Sequence, residues 1–237
     1  MNTAPGPRVV AHRTMQLVAR ENSLDGINKA AEVGADVVEL DVRRALGGAP
    51  YLLHDPWLGR VQHVPLLIKW ASPSVLAKVK VPSFADALEA VRANNLMVSV
   101  DTKDAGAAPA IIEAVNAAGM LEHVLPWSQH MPAVRAYVRA WPDAEVALLR
   151  ETHDDEANAR LLRDAAAIGA RAVSCNEDIV TPEFIAQARD AGQLVYVWYQ
   201  SQAKMEERLV AVAEAGLHGV VSDWPDRALE LLGRGAS

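Results

Sequence analysis

Val37-Val38-Glu39-Leu40-Asp41-Val42 is the stretch on which the reading of this chain turns. In a strand, successive side chains leave opposite faces, so Glu39 and Asp41 share one face, where two like charges repel unless a cation lies between them. The same construction recurs on either side. Val9-Val10-Ala11-His12-Arg13 precedes it, and Leu52-Leu53-His54-Asp55 and Val98-Ser99-Val100-Asp101-Thr102-Lys103 follow. Each is a short apolar run ending in groups that bind metal, transfer protons or hold phosphate, and together they read as an active site assembled from strand ends.

Outward from these runs, short apolar segments alternate with Ala-rich segments of helical period, the pattern of successive βα units. Strands are expected at Arg8 to His12, Asp36 to Val42, Leu96 to Asp101, His123 to Trp127, Glu145 to Leu149, Ala172 to Asn176, Leu194 to Trp198 and Gly219 to Ser222. Helices are expected at Ser23 to Val33, Phe84 to Ala93, Ala107 to Ala118, Met131 to Ala140, Asp155 to Ile168, Pro182 to Ala191, Ala203 to Ala215 and Asp226 to Leu232. Gly34, Gly119, Gly169, Gly192 and Gly216 stand where left-handed helix caps are needed. Eight such units close most economically into a (β/α)8 TIM barrel. An open doubly wound sheet is the alternative, but no Gly-x-Gly-x-x-Gly follows a strand. The alternation breaks between residues 43 and 82, where a hairpin return, Tyr51 to His54, turns at Gly47-Gly48 and a Pro-punctuated segment follows. This is expected to be a small insertion after the second strand that covers the site, with an ordinary surface loop as the plainer reading.

At 237 residues and 51% hydrophobic, the chain suffices for one large core, and a single domain over residues 1–237 is expected. The formal charge of -7, without a Lys/Arg-rich run, argues against a nucleic-acid partner. The single Cys175 excludes an internal disulfide, and Met1 to Pro7 holds no apolar stretch of a secretory signal, which fits a reducing cytoplasm. No apolar run approaches the roughly 20 residues of a membrane helix. The sequence leaves the oligomeric state open.

The motifs carry a resemblance that spans the chain. His12-Arg13, Glu21-Asn22-Ser23, Glu39-Leu40-Asp41-Val42, His54-Asp55-Pro56 with Arg60, and Gly219-Val220-Val221-Ser222-Asp223-Trp224-Pro225 resemble, in type and spacing, those of the glycerophosphodiester phosphodiesterase family. Thr14 stands where that family usually has glycine, Arg20 where it has proline, and Asp101 where it has glutamate; the first two are expected beside the substrate pocket. An aspartate in the third place also occurs in the related spider-venom type of sphingomyelinase D on the same barrel. The resemblance implies a metal-dependent phosphodiesterase that cleaves a glycerophosphodiester into glycerol 3-phosphate and an alcohol. A phospholipase D-like enzyme acting on lysolipids or other phosphodiesters and a non-catalytic phosphate-binding barrel are the alternatives.

The residues support this chemistry independently. Glu39, Asp41 and Asp101 offer oxygen ligands suited to a hard divalent cation, Mg2+ or Ca2+, and argue against zinc; plain salt bridges to Arg13, Arg43 or Lys103 are the other use for them. His12 and His54 are the candidates for proton transfer, one taking a proton from the nucleophile and the other giving one to the leaving oxygen. That nucleophile is either water or the neighbouring C2 hydroxyl of the glycerol, which forms a cyclic phosphate first. Arg13 and Lys103 would neutralise the diester oxygens. Glu21 either contacts the substrate, backs the metal, or serves a helix start. Trp198 lines the pocket or packs in the core. Arg150, Asn176 and Gln200 are weaker pocket candidates, and Asp223 reads as the cap of the last helix.

Overall fold

Strand β1 (Arg8–Ala11) is followed by β2 (Val37–Arg44), a short β3 (Pro50–Leu52), β4 (Met97–Thr102), β5 (Val124–Ser128), β6 (Ala147–Arg150), β7 (Ala172–Asn176), β8 (Leu194–Tyr199) and β9 (Gly219–Ser222). All but β3 run parallel, each beside the next in sequence, and pairing of β1 with both β9 and β2 closes the ring into the expected (β/α)8 barrel. These elements belong to a computed structural model that describes residues 6–178 and 180–235. Residues 1–5, 179 and 236–237, part of the expected single-domain span, lie outside the described ones.

Helices α1 (Leu24–Glu32), α2 (Gly59–Gln62), α3 (Pro73–Lys78), α4 (Phe84–Ala93), α5 (Ala108–Ala118), α6 (Met131–Ala140), α7 (Asp155–Ile168), α8 (Pro182–Asp190), α9 (Gln202–Glu214) and α10 (Pro225–Leu231) complete the order. Ser23, Ser83, Asp154, Thr181 and Ser201 cap the starts of α1, α4, α7, α8 and α9, each accepting a backbone N–H three residues on. Gly119 and Gly169 end α5 and α7 at φ 63° and 76°, where residues with a Cβ are strained. None of the described helices is long and apolar enough to cross a membrane.

Strand parity divides the core. Val38, Leu40, Val42, Val98 and Val100 point outward into the layer shared with the helices. Val10, Val37, Leu125, Trp127, Ala147, Ala172, Tyr196 and Val221 fill the barrel interior. Glu39, Asp41 and Asp101 share the parity of the inward set, and the parallel register puts Asp41 directly beside Asp101 and Glu39 beside Ser99. At the other end of the barrel, Arg8 donates to Glu145 at 3.0 Å and to the Tyr196 hydroxyl at 2.6 Å. A Cβ at Gly219 would collide with the Tyr196 ring, which is itself fully buried. Gly219→Ala is therefore expected to destabilise the fold by about 1–3 kcal/mol through overpacking, read from denaturant midpoints; a variant as stable as the wild type contradicts the close approach.

The segment between β2 and α4 is more than a loop. β3 folds back antiparallel on the end of β2, with Val42 opposite Leu52 and Arg44 opposite Pro50. Ala45, Leu53, Leu58, Ile68, Ala71, Leu76 and Val81 bury one another in a separate small core. The hairpin return is shorter than expected: β3 ends at Leu52, and after Leu53 donates to the Asp41 carbonyl at 2.9 Å the chain peels away, leaving His54 on the turn. The strand before it is longer, running to Arg44 because β3 supplies a partner for its last residues.

Candidate active site

The first part of the site is a strained turn. Arg13, Thr14 and Met15 have φ of 45°, 58° and 63°, three consecutive non-glycine residues in the left-handed region, each at a cost of about 1–2 kcal/mol. Tertiary contacts hold them there. The Arg13 amide donates to Glu39 Oε2 at 2.7 Å, the Ser23 amide donates to Thr14 Oγ1 at 3.0 Å, and Thr14 presses on Gly26, where a Cβ would strike its carbonyl oxygen. The turn fixes His12 and Arg13 over the acids of β2.

Glu39, Asp41 and Asp101 are all buried, and each offers an oxygen within 4.8 Å of the other two. Lys103 reaches back between them, its Nζ 2.5 Å from Asp101 Oδ2 and 3.1 Å from Asp41 Oδ1. Asn22 clamps Asp41 from the other side: its Nδ2 donates to Asp41 Oδ2 at 2.7 Å and its Oδ1 accepts the Asp41 amide at 2.9 Å. Arg13 Nε lies 3.6 Å from Asp41 Oδ2. Burial opposes ionisation of Asp41, but Lys103, His54, Arg13 and the Asn22 bond outweigh it and hold its carboxyl below the usual range. Burial, reinforced by the charge of Asp41, pushes Glu39 well above that range, and burial raises Asp101 as well against the pull of Lys103. Lys103 is raised, because three acids outweigh its own burial. Asp101 Oδ1 is buried without a hydrogen-bond partner. A buried carboxylate oxygen left unpaired beside two further carboxylates is an arrangement that a hard cation satisfies, so the donor set fits Mg2+ or Ca2+.

Each histidine is braced by an aspartate. His12 Nδ1 lies 2.6 Å from Asp223 Oδ1, which also accepts from Gln16 Nε2 at 2.6 Å. His54 Nδ1 lies 2.8 Å from Asp55 Oδ1. A carboxylate acceptor favours the proton on Nδ1 and leaves Nε2 as the atom for proton transfer. Burial lowers the pKa of His54 against the opposing charge of Asp41 and the hydrogen bond to Asp55. Asp55 continues to Arg60 at 2.5 Å, and Arg60 forks onto both oxygens of Glu21 at 2.6 and 2.8 Å. Glu21 also lies 3.7 Å from Arg13.

His12, Arg13, Glu39, His54, Asp101, Lys103 and Trp198 line one cavity of about 250 Å3, with Trp127, Gln129, Ser174 and Gln200 among its other walls. A larger chamber of about 680 Å3, edged by Arg43, Arg44, Asp104 and His130, borders Lys103 too, but Glu39, Asp101 and the two braced histidines line the smaller one, with Asp41 buried behind them. Residues 12–227 match the family described as glycerophosphoryl diester phosphodiesterase. The chain belongs to that family. A glycerophosphodiester phosphodiesterase of Caldanaerobacter subterraneus subsp. tengcongensis is 22% identical over 96% of this chain and 98% of its own. Among solved structures, an Oleispira antarctica phosphodiesterase in complex with the product sn-glycerol-3-phosphate superposes with a TM-score of 0.81 at 19% identity, covering 96% of this chain and 97% of that one. A Thermotoga maritima glycerophosphodiester phosphodiesterase gives 0.78 at 20% identity, over 95% and 98%.

Within this phosphodiesterase-family barrel, several sequence expectations change. Asp223 does not cap the last helix: Trp224 occupies the cap position without a side-chain bond, and the Asp223 carboxylate turns to His12 instead. Thr14 and Arg20 do not line the cavity; Thr14 is fully buried against Gly26, and Arg20 donates outward to the carbonyls of Val79 and Lys80. Arg150 is drawn off to Asp164 at 2.7 Å, and Asn176 accepts the Thr152 amide at 2.8 Å, so only Gln200 of that trio faces the cavity. Glu21, for which substrate contact, support of the metal and a helix start were open, precedes the Ser23 cap of α1 and is engaged by Arg60 and by Arg13, the latter a residue of the cavity wall. Asn22, Asp55 and Arg60 lay inside the motifs, but no role could be read for them without their partners. Asp223→Asn is expected to lower kcat by about 10–100-fold with little change in KM, because the ring of His12 loses its charged brace; unchanged kcat with an intact circular dichroism spectrum rules that brace out.

Proposed function

We propose that this chain hydrolyses glycerophosphodiesters to glycerol 3-phosphate and an alcohol, with a divalent cation held by Glu39, Asp41 and Asp101. The observation that carries this reading is the meeting, around one cavity of about 250 Å3, of carboxylates from that cluster with two carboxylate-braced imidazoles. When bound there, the cation supplies Lewis-acid stabilisation of a non-bridging phosphoryl oxygen. Arg13 contributes a forked cationic contact to the diester and Lys103 a point charge. Glu21 acts through Arg13, keeping its guanidinium aimed, rather than by touching substrate. Burial leaves His54 neutral near pH 7, so its Nε2 removes the proton from the nucleophile, and His12 delivers one to the departing alkoxide. Trp127 Nε1, Ser174 Oγ and Trp198 Nε1 are buried without partners on the same cavity and are the donors available to glycerol hydroxyls. Cys175 is a fully buried thiol, compatible with work in a reducing cytoplasm.

Phosphorus NMR of a glycerophosphodiester incubated with the chain and Mg2+ or Ca2+ tests the reading. Glycerol 3-phosphate is the expected product, and an analogue lacking the C2 hydroxyl separates the cyclic route, which requires that group, from direct attack by water. Release of free glycerol with the phosphate left on the alcohol means cleavage of the wrong bond. Absence of turnover on every glycerophosphodiester and lysolipid leaves only a phosphate-binding barrel.

A further inference from the structure

Large apolar side chains are left uncovered at one end of the barrel. Among the described residues, five of the eight exposed large hydrophobics (Leu17, Val18, Leu46, Trp57 and Trp70) lie in the β1–α1 loop or the insertion, each 47–61% exposed. These segments leave the C-terminal ends of β1 and β2, the end that carries the acids and histidines. Trp57 and Trp70 line a groove of about 280 Å3 with Pro65, Leu66 and Leu67. The Leu46 amide donates to the Ala71 carbonyl at 3.1 Å, joining the hairpin turn to the residue after Trp70.

The charge of these segments runs against that of the molecule. Residues 43–82 hold six of the 23 Lys/Arg and one of the 30 Asp/Glu, in a chain of net charge -7. That one acid, Asp55, is engaged by His54 and Arg60. Arg20, Lys69, Lys78 and Lys80 are exposed, and none has a carboxylate partner among the described residues. Lys69 Nζ lies over the Trp70 ring, 5.1 Å from its centroid, and Arg20 ties the β1–α1 loop to the carbonyls of Val79 and Lys80. Exposed tryptophans and leucines interleaved with unpaired cations are the composition that partitions into the headgroup region of an anionic bilayer.

We propose that this rim docks on an anionic phospholipid surface, with Trp57, Trp70, Leu46, Leu17 and Val18 entering the headgroup layer and Lys69, Lys78, Lys80 and Arg20 pairing with lipid phosphates. The acidic remainder of the chain is repelled by the same surface, so the mouth of the barrel turns toward it. Only the consequence, access to lipid-borne phosphodiesters, rests on the proposed activity; the docking itself is independent of turnover.

Flotation of the full chain with phosphatidylglycerol/phosphatidylcholine vesicles, against phosphatidylcholine vesicles alone, tests it. Binding to the mixed vesicles, a blue shift of tryptophan emission and weakening with salt are expected. Lys69→Glu is expected to weaken binding by roughly fivefold or more, since a surface cation is removed and an anion added, and Trp70→Ser to abolish most of the blue shift. Both variants are expected to turn over a water-soluble diester at the wild-type rate. A wild-type chain that stays off anionic vesicles overturns the proposal, as does equal binding by both variants. Sedimentation that shows a wild-type dimer, broken by Trp70→Ser, assigns the face to a second copy of the chain and also overturns it. Vesicle binding without turnover of any diester upholds the docking while defeating the proposed activity.

Discussion

His12→Ala and His54→Ala are each expected to lower kcat by about 10²–10⁴, the range for loss of a positioned proton-transfer group, while the barrel remains folded. Both rings lie on the cavity wall and are only partly buried, so truncation removes chemistry more than core packing. The two losses should differ in their pH dependence. Burial lowers the pKa of His54, so its neutral, proton-accepting form persists to lower pH than an ordinary imidazole, and a bound cation pushes in the same direction. The acid limb of the wild-type kcat/KM profile is therefore expected below the usual imidazole value near 6.5, and it should vanish in His54→Ala. Steady-state kinetics across pH on a confirmed diester decide the matter. Either variant retaining near wild-type kcat sinks the paired acid/base assignment, and an acid limb that survives in His54→Ala moves the base elsewhere.

Removal of divalent cation with a chelator is expected to abolish turnover, and Mg2+ or Ca2+ to restore it. The same ion should raise the thermal midpoint. A ligand at about 100 times its Kd adds about 2.7 kcal/mol, which for a chain of this size corresponds to roughly 5–10 °C. Glu39→Gln separates the electrostatic part. Because burial raises the Glu39 pKa above its ordinary value of 4.5, its contribution to stability is full below that value and is lost as pH rises through the raised one. The cation-free wild type is thus strained at neutral pH. The glutamine variant, which keeps an oxygen to accept the Arg13 amide, is expected to melt higher than wild type in chelator at pH 7 to 8 and to lose most of the ion-induced rise. Calorimetry with and without Mg2+ measures both. A wild type whose midpoint ignores every divalent ion, together with full activity after exhaustive chelation, removes the cation from the reading.

The strand ends show where local pattern was enough. Alternation in Val37-Val38-Glu39-Leu40-Asp41-Val42 and Met97-Val98-Ser99-Val100-Asp101 is a property of the chain itself, since side chains on a strand point to opposite faces whatever the partner. The barrel and the inward acid triad follow from that parity once eight βα units are counted, whereas His12, Arg13, His54 and Lys103 stand beyond the strand ends and reach the cavity through turns held by tertiary contacts. Pairings across long separations were not legible. Asp223 and His12 are 211 residues apart, and a lone aspartate before Trp224-Pro225 has the local appearance of a helix cap. Glu21 and Arg60 are 39 apart, and their forked contact exists only in the folded chain. Thr14 looked like a pocket residue because it follows His12-Arg13, but three left-handed residues rotate it under the turn and against Gly26.

Hydrophobic periodicity and strand parity, which are local and repeat along the chain, suffice for the (β/α)8 architecture and the inward acids, while the two histidines were marked only by their motifs. The tertiary structure alone decided which carboxylate is neutralised by Lys103, which aspartate braces each imidazole, and that residues 43–82 form a small core rather than a loop. Those outcomes depend on distances between groups far apart in sequence, and such distances exist only once the barrel has closed.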